Sequence, residues 1–448
     1  MQLIYKNINK ITSPLLLSSL SSLSSLSSLS SLSIDKILNI IPSTLFLSYL
    51  VSNVIRTIKL KSIYHRPLSI PIINIILILI ILYVEIKTIN EFSSITNGKT
   101  INIDNKSIHY LNIRNNNNND KPDHLTSLSL YHGFGSNSLS FKPIIDSLMS
   151  RSTNTNYYIT AHDIPGFGFG ERDGSKKLQP MFYRPLWNAL VGDTIMNSNK
   201  VSSSKIIFGH SMGCIPALIS GIIAKNNNNN VTVVLECPAL KYSNIMGCSN
   251  ESNIMKFITN KLNNLKPIHT KKSITDRIIG LVMKTILFPI RLALKIMLRS
   301  RYFWKRGLSV AYTAKVSEIK NEIFDGYRLA AYANEFDVDL LNFVNSQKQG
   351  IDDSVIGSPF PSSMILPGIS HMDLLLTLCK LKTKVIIVHG IDDKIVPLQN
   401  SIDIVNSIKK NLNDDDKQYI ELRTINLNGH VPHEEDANQL LEILNDII

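Results

Sequence analysis

The sequence is poor in cysteine and lacks the spacing of a metal site or a disulfide framework. Its four cysteines, in 448 residues, are scattered at Cys214, Cys237, Cys248 and Cys379 with no CxxC or His-linked pattern. Such spacing excludes a disulfide scaffold and offers no zinc site. No RNA- or DNA-binding signature accompanies the net charge of +12. We therefore expect neither a metal centre nor a nucleic-acid partner.

Acidic residues are scarce in two parts of the chain. None precedes Asp35, and residues 14–33 form a Ser/Leu repeat that indicates a targeting sequence or a tail rather than a core segment. Between Lys256 and Arg306, Asp276 is the one acid among 13 Lys or Arg, whereas the rest of the chain is balanced in charge. A local surplus of this kind favours contact with an anionic surface.

Two uncharged apolar segments follow the repeat. Leu68–Val84 carries no charge across 17 residues, which is long enough to cross a thin hydrocarbon core. Ile37–Ile55 is more dilute in apolar residues and contains Pro42. A buried helix in a soluble domain is the alternative, but no partner elements surround these segments. We expect residues 37–98 to anchor the protein and therefore predict that it is located at a membrane.

From about residue 98 the pattern becomes that of a globular α/β domain. "KTINIDNKSIHYLNI" alternates around a central turn, as a β-hairpin does. Further on, short apolar strands alternate with helical stretches, which predicts a mostly parallel sheet flanked by helices. These strands are "LSLYHG", "YYITAHD", "KIIFG", "VTVVLEC", "KVIIVHG" and "YIELRTINL".

The interval from Lys241 to about Leu381 interrupts this alternation and is mainly helical in pattern, as an inserted cap would be. We therefore divide the chain into five parts. They are a low-complexity segment (1–36), a membrane-anchor region (37–98), the first part of the α/β core (99–240), a helical cap or lid (241–381) and the second part of the core (382–448).

A candidate nucleophile lies where one apolar strand becomes a helix. Gly209-His210-Ser211-Met212-Gly213 fits G-x-S-x-G in the strand–turn–helix context that this motif requires. The glycines permit a sharp turn with Ser211 at positive φ, and the N–H of Met212 points to the same space. A turn that merely contains serine is the alternative.

Candidates for an acid and a base follow in the order expected of this architecture. "VIIVHGIDDKIVP" offers Asp392 and Asp393 just after a buried strand, and "INLNGHVPHEE" offers His430 and His433 after the last strand. Solvated surface residues are the alternative for both segments.

A glycine-containing loop upstream of Ser211 is a candidate oxyanion loop. His132-Gly133-Phe134-Gly135 directly follows a strand, and the N–H of Phe134 could join that of Met212 in stabilising oxyanion charge. A phosphate-binding loop is disfavoured, because neither this segment nor "DIPGFGFGERDG" has a Lys-Ser/Thr ending or a correctly placed G-x-G-x-x-G.

Together these motifs resemble those of the α/β-hydrolase superfamily, in its capped branch with an HG-x-G oxyanion loop. The resemblance covers residues from about 100 to 448 and rests on "HGFGS", "DIPGFG", "GHSMG", "GIDDKIVP" and "GH" (429–430), in that order. The family pattern G-x-x-D-x-x-x-P runs from Gly390 through Asp393 to Pro397. The N-terminal hundred residues lie outside the resemblance.

The resemblance implies a serine hydrolase. It favours Asp393 over Asp392 as the acid and His430 over His433 as the base, with Ser211 as the nucleophile of an acyl-enzyme mechanism that needs no metal or organic cofactor. Serine in place of aspartate argues against epoxide and haloalkane hydrolases. The expected substrate is a small-molecule or lipid-like carboxylic ester. A C–C bond hydrolase, an acyltransferase, a ligand-binding homologue without turnover and a structural membrane protein remain alternatives.

A basic, otherwise apolar helix is predicted within the cap. Arg277, Lys284, Arg291, Lys295 and Arg299 fall within an arc of about 80° on a helix interrupted by Pro289. One interpretation is a cap helix over the active site with its charges in solvent. The other is an interfacial helix that contacts anionic lipid. Either places apolar surface near Ser211, which favours a substrate with an apolar part.

Overall fold

The computed structural model describes most of the chain from residue 96 onward. The described residues are 96–103, 106–114, 125–151, 156–164, 166–170, 185–197, 204–227, 230–241, 291, 293–315, 317–333, 336–340 and 369–448. The predicted low-complexity segment and nearly all of the predicted anchor region lie outside them. Within the described residues, no helix is both long and apolar enough to cross a membrane.

An eight-stranded, mostly parallel sheet forms the centre of the fold. Its strands are β1 (Lys99–Ile103), β2 (Lys106–Arg114), β3 (Leu125–Tyr131), β4 (Asn156–His162), β5 (Ser204–His210), β6 (Val231–Glu236), β7 (Lys384–Gly390) and β8 (Ile420–Ile425). The spatial order is β1-β2-β4-β3-β5-β6-β7-β8. β2 pairs antiparallel with β1 and β4, and β3 to β8 pair in parallel. The predicted α/β-hydrolase fold is confirmed.

The central strands alternate side chains between two apolar layers because successive residues of a strand face opposite sides. In β5, Ile206 and Phe208 belong to one core cluster and Ile207 to the other. Helices α1 (Lys142–Ser150) and α8 (Ala437–Ile443) contribute to the first cluster. The opposite layer contains α2 (Pro185–Asn197), α3 (Cys214–Asn226), α6 (His371–Lys380) and α7 (Leu398–Lys410). The sheet is therefore covered on both sides.

Part of the predicted cap forms a third apolar cluster. Helices α4 (Arg301–Leu308) and α5 (Asn321–Ala330) pack together around buried Trp304 and Phe324. Val431, from the loop that carries His430, belongs to the same cluster. The boundaries predicted for the cap stay predictions, because much of 241–381 lies outside the described residues.

The basic residues predicted to line one side of a cap helix have internal partners where they are described. Arg291 Nε lies 2.6 Å from Asp337 Oδ2, and Lys295 Nζ lies 3.8 Å from Asp337 Oδ1. Arg299 is buried and donates from Nε to the carbonyl oxygen of Ala331 at 3.0 Å. The expectation that the whole line faces solvent or lipid is therefore wrong at Arg299, and Arg291 and Lys295 pair with a buried carboxylate.

Candidate active site

Ser211 occupies a strained turn between β5 and α3. Its φ is 52°, in the left-handed region that side chains other than glycine rarely adopt. A Cβ added at Gly209 would lie 2.6 Å from the carbonyl oxygen of Gly213, and one added at Gly213 would lie 2.2 Å from that of Tyr131. Glycine is therefore required on both sides of the serine for the turn to close against β3.

His430 lies between Ser211 and Asp393 and contacts both. Its Nε2 lies 2.9 Å from Ser211 Oγ, and its Nδ1 lies 2.7 Å from Asp393 Oδ2. Because a carboxylate only accepts, Nδ1 carries the proton and Nε2 presents a lone pair to the serine hydroxyl. The three residues follow β5, β7 and β8 at the carboxyl edge of the sheet, and each is buried.

Asp393 is held as a carboxylate by its surroundings. Its Oδ1 accepts hydrogen bonds from the N–H groups of Ile395 at 2.8 Å and Val396 at 2.9 Å. Burial raises the pKa of this carboxyl, but hydrogen bonds from His389 and His430 outweigh burial and hold the pKa well below its usual range. The neighbouring Asp392 is exposed. The structure thus places Asp393, and not Asp392, beside the imidazole.

The predicted oxyanion loop lies against the nucleophile. A Cβ added at Gly133 would lie 3.1 Å from the Cβ of Ser211. Phe134 follows directly, with 59% of its surface exposed, and Met212 follows Ser211 in the 3-10 turn Ser211–Gly213. Of the two residues predicted to donate backbone N–H groups, Met212 is therefore adjacent to the serine in sequence, and Phe134 directly follows the glycine that approaches it.

A buried histidine fixes the predicted oxyanion loop. His132 donates from Nδ1 to the carbonyl oxygen of Gly133 at 2.8 Å and accepts at Nε2 from the N–H of Ile164 at 3.0 Å. Burial lowers the pKa of His132, which favours the neutral ring that this pattern requires. The segment after Ile164 is anchored in turn by Asp163, which accepts from the N–H of Phe169 at 3.0 Å.

His433, the second candidate base, has a different partner. Its Nδ1 lies 2.5 Å from Oε2 of Glu236, at the end of β6, and its backbone N–H donates to Oε1 of the same carboxylate at 2.8 Å. Both side chains are fully buried. Burial lowers the pKa of His433, but the charge of Glu236 outweighs burial and raises it. Glu236 is not among the residues predicted from the sequence, although an acid at the end of an otherwise apolar strand is a signal for it.

His210, Glu236 and His433 lie close enough together to be considered as metal ligands, since one ligand atom from each is within 4.8 Å of the others. The Glu236–His433 separation of 2.5 Å is that of a short hydrogen bond. Two ligands of a tetrahedral zinc ion, each at about 2.0–2.2 Å from the metal, lie about 3.3 Å apart. The arrangement is therefore that of a hydrogen-bonded ion pair.

No family model matches the chain, and no curated protein matches it significantly. Three solved structures illustrate what it is similar to. A bacterial membrane phospholipase A shares 13% identity, over 80% of this chain and 90% of its own, with a TM-score of 0.44. A 2-hydroxy-6-oxo-6-phenylhexa-2,4-dienoate hydrolase from Rhodococcus sp. strain RHA1 shares 17%, over 78% and 98%, with a TM-score of 0.46.

The third is the thioesterase domain from the curacin biosynthetic pathway, which shares 13% identity over 78% of this chain and 98% of its own, with a TM-score of 0.43. Because these TM-scores lie below 0.5, the likeness says nothing about the chemistry of this chain. That chemistry depends on the geometry of its own residues.

Proposed function

We propose that this protein is a serine hydrolase that cleaves a carboxylic ester through an acyl-enzyme. The observation that carries the proposal is the continuous hydrogen-bonded series from Ser211 through His430 to Asp393, with separations of 2.9 and 2.7 Å. Such a series is the arrangement that activates a serine hydroxyl, which is a weak nucleophile by itself.

In the first half-reaction, Ser211 Oγ attacks the carbonyl carbon of the ester while His430 Nε2 accepts the hydroxyl proton. The resulting imidazolium is stabilised by the Asp393 carboxylate. The negative charge that develops on the carbonyl oxygen accepts hydrogen bonds from the N–H groups of Phe134 and Met212. The tetrahedral intermediate then expels the alcohol, which takes its proton from His430, and the acyl group remains on Ser211.

In the second half-reaction, a water molecule replaces the alcohol. His430 Nε2 accepts a proton from this water as its oxygen attacks the acyl carbon. Collapse of the second tetrahedral intermediate breaks the bond to Ser211 Oγ, which recovers the proton from His430. The acid product leaves and the triad returns to its starting state.

The proposed substrate has an apolar acyl or alkyl part. Phe134, at the oxyanion loop, exposes an aromatic side chain, and the described part of the cap packs an apolar cluster against the His430 loop through Val431. Surroundings of this kind favour apolar over charged substrates. A panel of p-nitrophenyl esters of increasing chain length tests this: we expect kcat/KM to rise from acetate to medium chains, and loss of all turnover in Ser211→Ala.

Attachment to a membrane is the second part of the proposal, and it rests on the uncharged segment Leu68–Val84. Two central lysines, in the double variant Leu77→Lys and Ile80→Lys, would each oppose insertion by about 3 kcal/mol. We expect the full chain to stay in the membrane pellet after alkaline carbonate extraction and the double variant to be released. Equal release of both proteins would contradict an inserted segment.

A further inference from the structure

The hydroxyl of Tyr327, on cap helix α5, contacts the loop that carries His430. It donates to Oε1 of Glu434, four residues after His430, at 2.8 Å. Tyr327 is buried, so this contact is made away from solvent. The residue before it, Gly326, accepts at its carbonyl oxygen from Nδ2 of Asn137, three residues after Phe134. One turn of the cap helix α5 therefore contacts both the loop of the base and the segment that follows the oxyanion loop.

The contact with Glu434 is part of a larger attachment of the His430 loop. The second carboxylate oxygen of Glu434 accepts from the hydroxyl of Tyr312, which also belongs to the cap. The next residue, Glu435, accepts at Oε1 from the N–H of Ala314 at 2.8 Å and at Oε2 from the N–H of Gly429 at 2.8 Å. Two consecutive acids thus fasten this loop to the cap segment 312–314.

The base itself is bonded to the same cap segment. The backbone N–H of His430 donates to the carbonyl oxygen of Ala311 at 2.6 Å. A Cβ added at Gly429 would lie 2.3 Å from that oxygen, so the two backbones are in close contact. A displacement of residues 311–314 would therefore be transmitted to His430 through a hydrogen bond and through packing.

On the other side, α5 is bonded to the segment that follows the oxyanion loop. Asn137 donates from Nδ2 to the carbonyl oxygen of Gly326, the residue before Tyr327, at 3.2 Å. The N–H of Ser136 donates to the carbonyl oxygen of Gly133 at 3.4 Å and closes the turn that contains Phe134. The helix thus contacts the residue that directly follows this turn.

We propose that Tyr327 and Glu434 are positioning residues, through which the cap sets the placement of His430 relative to the oxyanion loop. The inference rests on the proposed function, because it gives these residues no chemistry of their own. Neither touches Ser211 or the reacting atoms. The Tyr327–Glu434 hydrogen bond holds the His430 loop to α5, and the Asn137–Gly326 hydrogen bond holds the oxyanion side to the same helix. Both must be aligned at the same time in the transition state, where a small displacement lowers kcat more than it weakens substrate binding.

The test measures kcat and KM of variants that lack single hydroxyl groups, made in the full chain. The assay uses an ester that the wild-type protein hydrolyses. Tyr327→Phe removes the hydrogen bond between Glu434 and the helix that also contacts the segment after the oxyanion loop, and we expect kcat to fall at least tenfold with KM within threefold. Tyr312→Phe removes one link to Glu434 and is expected to show a smaller fall. Glu434→Gln keeps an acceptor for one tyrosine and should resemble Tyr312→Phe. Tyr302→Phe, on the exposed side of α4, should match wild type.

A control variant of reduced stability distinguishes a positioning role of Tyr327 from a purely structural one. Ile404→Val removes one buried methylene from α7, in the opposite core layer, and should lower the melting temperature with kcat unchanged. A wild-type kcat in Tyr327→Phe, or an equal loss of kcat in Ile404→Val, would overturn the positioning role. If wild type turns over no ester and Ser211 does not react with a fluorophosphonate, the proposed function itself fails. If Ser211 reacts with the fluorophosphonate but Tyr327→Phe has the kcat of wild type, the positioning role is wrong and the proposed function stands.

Discussion

His210, the residue before Ser211, donates a hydrogen bond from Nε2 to the backbone carbonyl oxygen of His430 at 2.9 Å. Its ring packs against those of His430 and His433, with centroid separations of 5.0 and 4.6 Å. Burial lowers the pKa of His210 well below its usual value, so its one proton lies on Nε2. The neighbour of the proposed nucleophile thus holds the backbone of the proposed base.

This contact predicts a graded effect of substitution at His210. Phenylalanine removes the donor and leaves the carbonyl of His430 unpaired in a buried site, a loss of about 1–3 kcal/mol. We expect kcat to fall about tenfold to a hundredfold in His210→Phe. His210→Gln retains an N–H donor and should keep most of the activity. Steady-state kinetics on both variants check this, and equal activities would show that the hydrogen bond has no role.

The two adjacent aspartates should differ sharply. Asp393→Asn replaces the acceptor of His430 Nδ1 by an amide that favours the wrong tautomer, so kcat should fall roughly a thousandfold or more. Asp392→Asn changes an exposed side chain and should leave kcat within about twofold. The same ester assay serves for both. A larger loss of kcat in Asp392→Asn than in Asp393→Asn would show that Asp392, and not Asp393, is the acid.

The turn at Ser211 depends on a glycine with no room for a methyl group. The Cβ of Gly213→Ala would meet the carbonyl oxygens of Tyr131 and His132 at 2.2 and 2.6 Å, both of them backbone atoms. We expect a loss of about 3 kcal/mol in the free energy of unfolding. Gly307→Ala, on α4, meets nothing within 4 Å and should be neutral or stabilising by up to about 1 kcal/mol. Urea unfolding of both variants tests the contrast.

The Glu236–His433 pair predicts a pH dependence of stability. Folding raises the pKa of His433 above its usual 6.5, so its stabilising contribution is complete below pH 6.5 and is lost as the pH rises through the folded pKa. The difference in unfolding free energy between wild type and His433→Gln should therefore shrink between pH 6 and pH 9. Each unit by which folding raises the pKa corresponds to about 1.4 kcal/mol. A difference that stays constant would show that His433 is not charged in the folded protein.

His162 predicts a pH dependence of stability with the opposite sign. Burial, together with the nearby His132, lowers the pKa of His162 to about 3. The unfolded chain therefore binds a proton below pH 6.5 that the folded protein does not, and wild type loses stability as the pH falls. His162→Gln should lose less stability than wild type between pH 7 and pH 5. Urea unfolding at the two pH values checks this.

Alternation and turn chemistry were sufficient to predict the sheet. Runs such as "KIIFG" and "KVIIVHG" are apolar on both faces, which indicates a central strand of a parallel sheet, and β5 and β7 occupy such positions. The order serine, acid, histidine also predicted which three turns would meet, because the carboxyl ends of parallel strands lie at one edge. Choosing Asp393 and His430 over their neighbours needed the family resemblance.

The partners of the remaining polar residues could not be predicted from spacing. The position of His433 within "HVPHEE" says nothing of Glu236, which is 197 residues away in the chain. The line of basic residues on the predicted cap helix indicated contact with solvent or lipid, yet two of these residues pair with Asp337. Asp337 lies in a different segment, and no periodicity in the sequence connects the two. Buried charges find partners through the tertiary fold, and local pattern carries no information about which partner is available.

The most direct measurement is covalent labelling of the full chain by a fluorophosphonate, followed by mass spectrometry of the modified peptide. We predict that the adduct lies on Ser211, that Ser211→Ala takes up no label, and that His430→Ala slows labelling by at least a hundredfold while its far-UV spectrum is unchanged. An adduct on another residue, or a wild-type labelling rate in His430→Ala, would contradict an activated serine at this site.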